Sequence, residues 1–224
     1  VKSKAFSRSF FKYFLQSGCP LKNYEDLWKY PDIISVSWKA GLNSTRSELD
    51  EDMLHLQKSF GSQPFTLRSI KMKLEIHEES YREDFFQCLS NSRWAHYGEL
   101  IIASPIQSIN AINNLRELGQ EFGIGITSYG MNNETLDDLP EPGAIQHFSE
   151  REIEGLFGLI NYQKISESRP RNELAWEQVS QLRNSNQEIE SMFKWLSNSL
   201  DQGKVLSFDS KVRESRSITE QVID

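Results

Sequence analysis

Apolar residues recur along the chain with alternating helical and strand periods, and the order of these periods predicts an α/β protein. The stretches with helical spacing are residues 4–16, 45–60, 79–92, 107–121 and 173–200. The stretches with strand character are residues 33–38, 67–77, 99–103 and 122–129. Helices and strands that alternate in this way favour a layered domain with a central mixed sheet.

The strand predicted over residues 67–77 carries an unusual row of charges. Successive side chains of a strand point to opposite faces, so every second residue shares a face. One face is predicted to be apolar and to pack inward, and it carries Ile70, Met72, Leu74 and Ile76. The other face carries Lys71, Lys73, Glu75 and His77. This second face is either a solvated edge or the remnant of a catalytic centre.

The pattern also predicts how the chain is organised. Residues 1–130 are expected to form the core, and residues 131–200 an acidic loop followed by a helical extension packed on that core. Residues 201–224 form a polar, charged tail that is expected to be loosely held. Within this plan, residues 132–147 are predicted to be a loop, and Thr45 with Glu48 resembles a capping box that starts the second helix.

Composition narrows the class of protein. The 224 residues carry a net charge of -7 and 38% hydrophobic residues, which suits one domain with an appended piece. No apolar run reaches the roughly 18 residues of a membrane helix, so no membrane partner is expected. Cys19 and Cys88 form no disulfide pattern and no signal peptide is visible, which favours a cytoplasmic protein.

The acidic balance argues against a nucleic-acid coat protein, but a local basic strip or a bound metal can offset it. Four cationic residues and no acid occur at the N-terminus, namely Lys2, Lys4, Arg8 and Lys12. This stretch is either a phosphate-facing surface or a solvated helix face.

Two of the strands carry residues that could support phosphodiester chemistry. Asp32 opens the strand at 33–38, and Lys73 lies on the charged strand. Carboxylates hold hard divalent cations through oxygen, and a nearby lysine stabilises the charge that develops on a phosphate. An acid two residues before the lysine would lie on the same face, about 6–7 Å away.

The chain resembles the PD-(D/E)XK nuclease superfamily and, within it, the HrgA-like proteins of bacterial restriction and defence loci. The blocks that carry the resemblance span about three quarters of the chain. The most distinctive block is the one at residues 81–95. The blocks are LWKYPDII at 27–34, YREDFFQCLSNSRWA at 81–95, MKLEI at 72–76, FGIGI at 122–126 and RPRNELAW at 169–176.

The resemblance implies a restriction-endonuclease-like core and assigns roles to individual residues. Asp32 would be a metal ligand for Mg²⁺ or Mn²⁺, Lys73 the motif lysine and Gln87 a residue that orders the site. The motif acid should stand two residues before Lys73. That position is Lys71, so the chain reads K-M-K where the family has an acid, a spacer and a lysine.

With a lysine at position 71, either another residue supplies the metal-binding acid of the motif, or the chain has lost metal-dependent cleavage. Glu75, on the same strand face, is the first candidate for a migrated ligand, with Lys71 or Lys73 as the catalytic cation. Further candidates for the missing metal ligand are Glu83, Glu25 and Asp26. Arg82 and Arg93 flank Gln87 and are either phosphate contacts or solvated surface, and His77 is a ligand or a polar edge residue.

Three hypotheses for function follow. The first is a metal-dependent DNA endonuclease of a restriction or phage-defence system. The second is a catalytically inactive nuclease-fold module that binds DNA or a partner, which Lys71 favours. The third is a structural or regulatory protein whose acidic surface docks a basic partner. Analogy with nucleases of this fold adds a homodimer as a further hypothesis.

Overall fold

The computed structural model describes residues 9–13, 28–39, 48–145 and 147–206. Its strands are β1 Ser9–Tyr13, β2 Ile33–Trp38, β3 Phe65–Lys73, β4 Tyr97–Ile102, β5 Ile124–Ser128 and β6 Gln163–Ser166. Its helices are α1 Glu51–Ser59, α2 Tyr81–Ser92, α3 Ile109–Phe122, α4 Asn133–Asp137, α5 Pro142–Ile145, α6 Glu150–Gly158, α7 Trp176–Ser185 and α8 Gln187–Asp201. None of these described helices combines the length and apolar character needed to cross a membrane.

The described strands form one sheet in the order β1-β2-β3-β4-β5-β6. Strands β3, β4 and β5 run parallel, whereas β1 is antiparallel to β2 and β6 is antiparallel to β5. Parallel neighbours require helical crossovers that cover the faces of a sheet, and α2 and α3 provide them here. The mixed sheet with flanking helices confirms the α/β prediction.

The chain groups into two compact units. The first comprises Val1–Ser37 and Thr66–Ala175, and the second comprises Trp38–Phe65 and Trp176–Asp224. The sheet lies in the first unit apart from the strand ends Trp38 and Phe65. Residues 131–175 therefore group with the sheet, to which they contribute β6. Most of the predicted tail at 201–224 lies outside the described residues.

The core of the first unit lies where α2 and α3 pack on the parallel strands. Each side chain in it is at least nine-tenths buried. Its members are Ile76, Tyr81, Phe85, Cys88, Leu100, Ile102, Ile106, Ala111, Leu115, Ile124, Ile126 and Ile165. Local signals fix the ends of α3: the Ser108 side chain accepts a hydrogen bond from the Ala111 amide, and Gly123 closes the helix at a φ of 71°.

The second unit is helical, as predicted for residues 173–200. Asn186 separates α7 from α8, and its side chain accepts hydrogen bonds from the first amides of α8. Trp38 packs edge-on against both Phe65 and Trp195, with ring centroids 6.0 and 5.8 Å apart. Aromatic rings in this arrangement add to the stabilisation from buried area.

The helix predicted over residues 4–16 is wrong where the structure describes it. Ser9–Tyr13 is a strand that pairs antiparallel with β2, with Phe11 opposite Ser35. Long-range pairing outweighs the local apolar spacing that favoured a helix, because spacing is a weaker determinant than a partner strand. Residues 4–8 and 14–16 lie outside the described residues, as do Lys2 and Thr45.

Two other predicted elements need correction. The helix predicted over 45–60 begins at Glu51, and Asp50 rather than Thr45 caps it by accepting a hydrogen bond from the Met53 amide at 3.0 Å. The loop predicted over 132–147 contains the short helices α4 and α5. The apolar pattern predicted neither helix α6 nor strand β6, and β6 is only four residues long.

The predicted alternation of β3 is wrong at its C-terminal end. Ile70 and Ile76 are buried as expected, but Met72 is 40% exposed and Leu74 is 62% exposed. Lys71, which was assigned to the other face, is only 3% exposed. Helix α2 packs on the face that carries Ser69, Lys71 and Lys73, so the charged face is the covered one at this end of the strand.

Close packing between β4 and α2 gives a testable prediction. A Cβ atom at Gly98 would clash with the side chain of Ser92 and lie 2.6 Å from Cδ1 of Ile124. Gly98→Ala is therefore expected to lower the free energy of unfolding by about 1–3 kcal/mol, measured by urea denaturation. Gly155→Ala is the matched control, since nothing lies within 4 Å of its added Cβ and alanine favours the helix α6. Equal effects of the two substitutions would contradict the packing described here.

Candidate functional site

The antiparallel arrangement of β2 and β3 brings Asp32 to the C-terminal end of β3. The Asp32 amide donates to the Ile70 carbonyl at 3.0 Å, and the Thr66 hydroxyl donates to the Ser37 carbonyl at 3.5 Å. Residues at the start of β2 therefore lie beside residues at the end of β3. Asp32 and the lysines of the predicted motif thus meet although about 40 residues separate them in the sequence.

Asp32 forms an ion pair with Lys71. The Nζ atom of Lys71 lies 3.2 Å from Oδ1 of Asp32, and the Met72 amide donates to Oδ2 at 2.8 Å. The Lys71 side chain is 4% exposed and the Asp32 side chain is 22% exposed. Both carboxylate oxygens thus have protein donors, and the buried ammonium has its counter-charge beside it.

Lys73 forms a second ion pair, with Asp84 of α2. Its Nζ atom lies 2.5 Å from Oδ1 of Asp84 and donates to Oε1 of Gln87 at 3.1 Å. The amide of Gln87 in turn donates to Glu83 at 3.1 Å. The structure therefore brings together Lys73 and Gln87, whereas their predicted catalytic roles stay predictions.

Helix α2 covers the face of β3 that bears the two lysines. The Ser69 hydroxyl donates to the Asn91 carbonyl at 2.8 Å, and Lys73 contacts Gln87 and Asp84, which lie about one and two turns before Asn91. The Asn91 side chain also donates to the Tyr30 carbonyl at 3.1 Å, two residues before Asp32. Asn91 is therefore a positioning residue for the segment that carries Asp32, a role that sequence reasoning missed.

The remaining predicted site residues lie apart from these pairs. Glu75 pairs with His77 at 3.1 Å, and both of their side chains are more than half exposed. Arg82 is exposed and donates to the Tyr81 hydroxyl at 3.0 Å, while Arg93 is the exposed C-cap of α2. Their predicted roles in metal and phosphate binding stay predictions. Glu25 and Asp26 lie outside the described residues.

The two ion pairs form a charge-balanced arrangement that does not fit a divalent cation. Lys71 and Lys73 each face a carboxylate, and both oxygens of Asp32 are engaged by protein donors. A dication about 4 Å from an ammonium would be repelled by roughly 8 kcal/mol at an effective dielectric of about 20. Among the described residues, no group of three or more histidine, cysteine, aspartate or glutamate side chains is placed to hold a metal.

Cys88 follows Gln87 on α2, and its surroundings exclude thiolate chemistry at neutral pH. The side chain is fully buried, and this burial raises the pKa of the thiol to about 12. The thiol therefore remains protonated at physiological pH, and a protonated thiol is a poor nucleophile. The groups in this region that could act chemically are therefore the two lysines, their carboxylate partners and the Gln87 amide.

Asp84 is the acid that sequence reasoning missed. It lies three residues before Gln87 on the same helix, and residues at that spacing share a helix face. Once Gln87 is predicted to approach Lys73, Asp84 is expected to approach it as well. The spacing of Asp84 and Gln87 is therefore the signal in the sequence that could have identified this acid.

The search for related proteins adds no family to this description. Comparison of the chain with protein-family models, with curated proteins and with solved structures gave no match.

Proposed function

We propose that this chain is a nuclease-like module that binds DNA without cutting it. The observation that carries the proposal is the ion pair between Lys71 and Asp32. In the family that the sequence resembles, the position of Lys71 holds an acid that would bind metal together with Asp32. Here the buried ammonium of Lys71 lies 3.2 Å from the Asp32 carboxylate. The lysine therefore cancels the negative charge that would bind a metal.

The ion pair supports a structural role for residues that would otherwise be catalytic. A buried lysine requires a counter-charge, because an unpaired charge in the protein interior is strongly unfavourable. Asp32 supplies that counter-charge, and Asp84 does the same for Lys73. We infer that these carboxylates hold β3, α2 and the segment before β2 in place, and that the chain acts through its surface.

DNA binding without metal is the expected result of this proposal. Binding of a fluorescent duplex, measured by anisotropy, should be at least as tight in chelator as in Mg²⁺, because the divalent cation competes with the protein for phosphates. The affinity should fall steeply between about 50 and 200 mM salt, as it does when cationic side chains replace counterions on phosphates. A basic DNA-binding domain and serum albumin serve as positive and negative controls. Absence of binding at the low salt concentration would reject the proposal and favour a protein partner.

One observation favours the second candidate, a metal-dependent endonuclease. Asp84 brings a carboxylate from α2 to within 2.5 Å of Lys73, so acids from two elements border the two lysines. Cleavage would then require Lys71 to leave Asp32, at the energetic cost of a buried ammonium without its partner. The described geometry favours the non-cleaving module, and a nicking assay separates the two candidates.

A further inference from the structure

A cleft of about 610 Å³ lies between α3 and β6, away from the ion pairs of the candidate site. Strand β6 ends the sheet order of the described residues, so the cleft opens beside an edge strand. Three cationic side chains line it, Arg116 from α3, Lys164 from β6 and Arg169 from the segment that follows β6. Glu167 is the one acid among the described residues that line the cleft, although the chain has a net charge of -7.

Arg169 is held in place by the backbone at the end of α3. Its guanidinium donates to the carbonyls of Gln120 and Glu121, and its own amide donates to the Gly123 carbonyl at 3.0 Å. These contacts fix the cation against the last turn of the helix, where free carbonyls carry partial negative charge. The cleft therefore has one preorganised cation in its wall.

The other two cations keep donors for a ligand. Arg116 uses one Nη1 contact to the Asn113 side chain at 2.8 Å, which leaves further N–H groups of its guanidinium. Lys164 pairs with Glu167 at 2.5 Å, and the lysine and glutamate side chains are 39% and 75% exposed. Exposed pairs of this kind are worth at most about 1 kcal/mol, so a phosphate can compete for the lysine.

We propose that this cleft holds phosphate groups of the DNA backbone. The proposal rests on the DNA-binding function proposed above and names the surface that carries it. The described residues that line the cleft offer cations and the Gln120 amide but no aromatic ring, so they suit phosphates rather than stacked bases. Binding through this cleft is therefore independent of base sequence.

The test compares two double variants with the same loss of charge. Arg116→Gln combined with Lys164→Gln removes cations from the cleft. Arg151→Gln combined with Lys194→Gln removes an exposed arginine of α6 and a lysine of α8 that pairs with Glu190 at 2.7 Å, much as Lys164 pairs with Glu167. Anisotropy with a fluorescent duplex over a range of salt concentrations gives the slope of log affinity against log salt. Melting temperatures establish that each variant is folded.

The cleft variant is expected to lower the magnitude of the salt slope by roughly 2, about 1 for each lost phosphate contact, while the control keeps the wild-type slope. Glu167→Gln is expected to tighten binding, because it releases Lys164 and removes the acid from the cleft. If both double variants have the wild-type slope, or lose the same amount of it, the cleft proposal fails and DNA binding stands. If the wild-type chain does not bind the duplex at all, both proposals fail.

Discussion

Asp32→Ala is expected to lower the free energy of unfolding by about 3 kcal/mol. The substitution leaves the Lys71 ammonium, on a side chain that is 4% exposed, without its carboxylate. Breaking a buried ion pair by removing one partner costs about 3–5 kcal/mol, and water that reaches the partly exposed Asp32 position places the effect at the low end. Urea denaturation of the wild-type and variant chains measures the difference.

The matched control is the double variant Asp32→Ala with Lys71→Met. Replacing both partners removes the uncompensated charge and leaves an apolar side chain of similar length in its place. We expect the double variant to recover most of the lost stability, which would give a large coupling energy in the double-mutant cycle. If Asp32→Ala changes the stability by less than about 0.5 kcal/mol, as a surface substitution does, the ion pair has no structural role and the account of this site is wrong.

Lys71→Glu is expected to create the metal site that the wild-type chain lacks. The substitution places a second carboxylate beside Asp32, so the variant should melt at a lower temperature in chelator because two buried acids repel each other. Mn²⁺ should then raise its melting temperature by roughly 5–10 °C, since a ligand at 100 times its dissociation constant adds about 2.7 kcal/mol and each kcal/mol shifts the melting temperature of a chain this size by about 2–4 °C.

Differential scanning fluorimetry with and without Mn²⁺ makes the comparison. Lys71→Gln is the matched control, because it removes the positive charge without adding a ligand, and we expect it to show no metal-dependent shift of this size. The wild-type chain should likewise show none. An equal shift in the wild-type chain would show that Lys71 does not keep metal away, and a folded Lys71→Glu variant without any shift would show that Asp32 is not placed to bind it.

The sequence predicted the elements whose signal is local. Strand β2, helices α2 and α3 and strand β5 each lie within a stretch whose apolar pattern predicted them, although Gly123, which was predicted to lie in the strand, ends α3. The segment Ser9–Tyr13 was mispredicted because its strand state depends on pairing with β2, which no local pattern encodes. Strand β6 was missed because four residues carry too little periodicity to be recognised.

The site shows the same division between local and long-range information. The resemblance assigned Asp32, Lys73 and Gln87 to one site and marked Lys71 as the departure from the nuclease pattern, and the structure pairs Asp32 with Lys71 and Lys73 with Gln87. It did not reveal that Lys71 is buried, because that depends on which face of β3 the helix α2 covers. The partner of Lys73 was also missed, although the spacing of Asp84 and Gln87 on one helix face offered a local signal for it.

The central claim, that the Lys71–Asp32 ion pair replaces a metal centre, is tested most directly by nicking of supercoiled plasmid. The wild-type chain would be incubated with plasmid in Mg²⁺ or Mn²⁺ beside a Lys73→Ala variant purified in the same way. The account predicts no more nicked plasmid with the wild-type chain than with the variant, in either metal. Nicking that rises with wild-type protein, stops in chelator and is absent from the Lys73→Ala variant would contradict it.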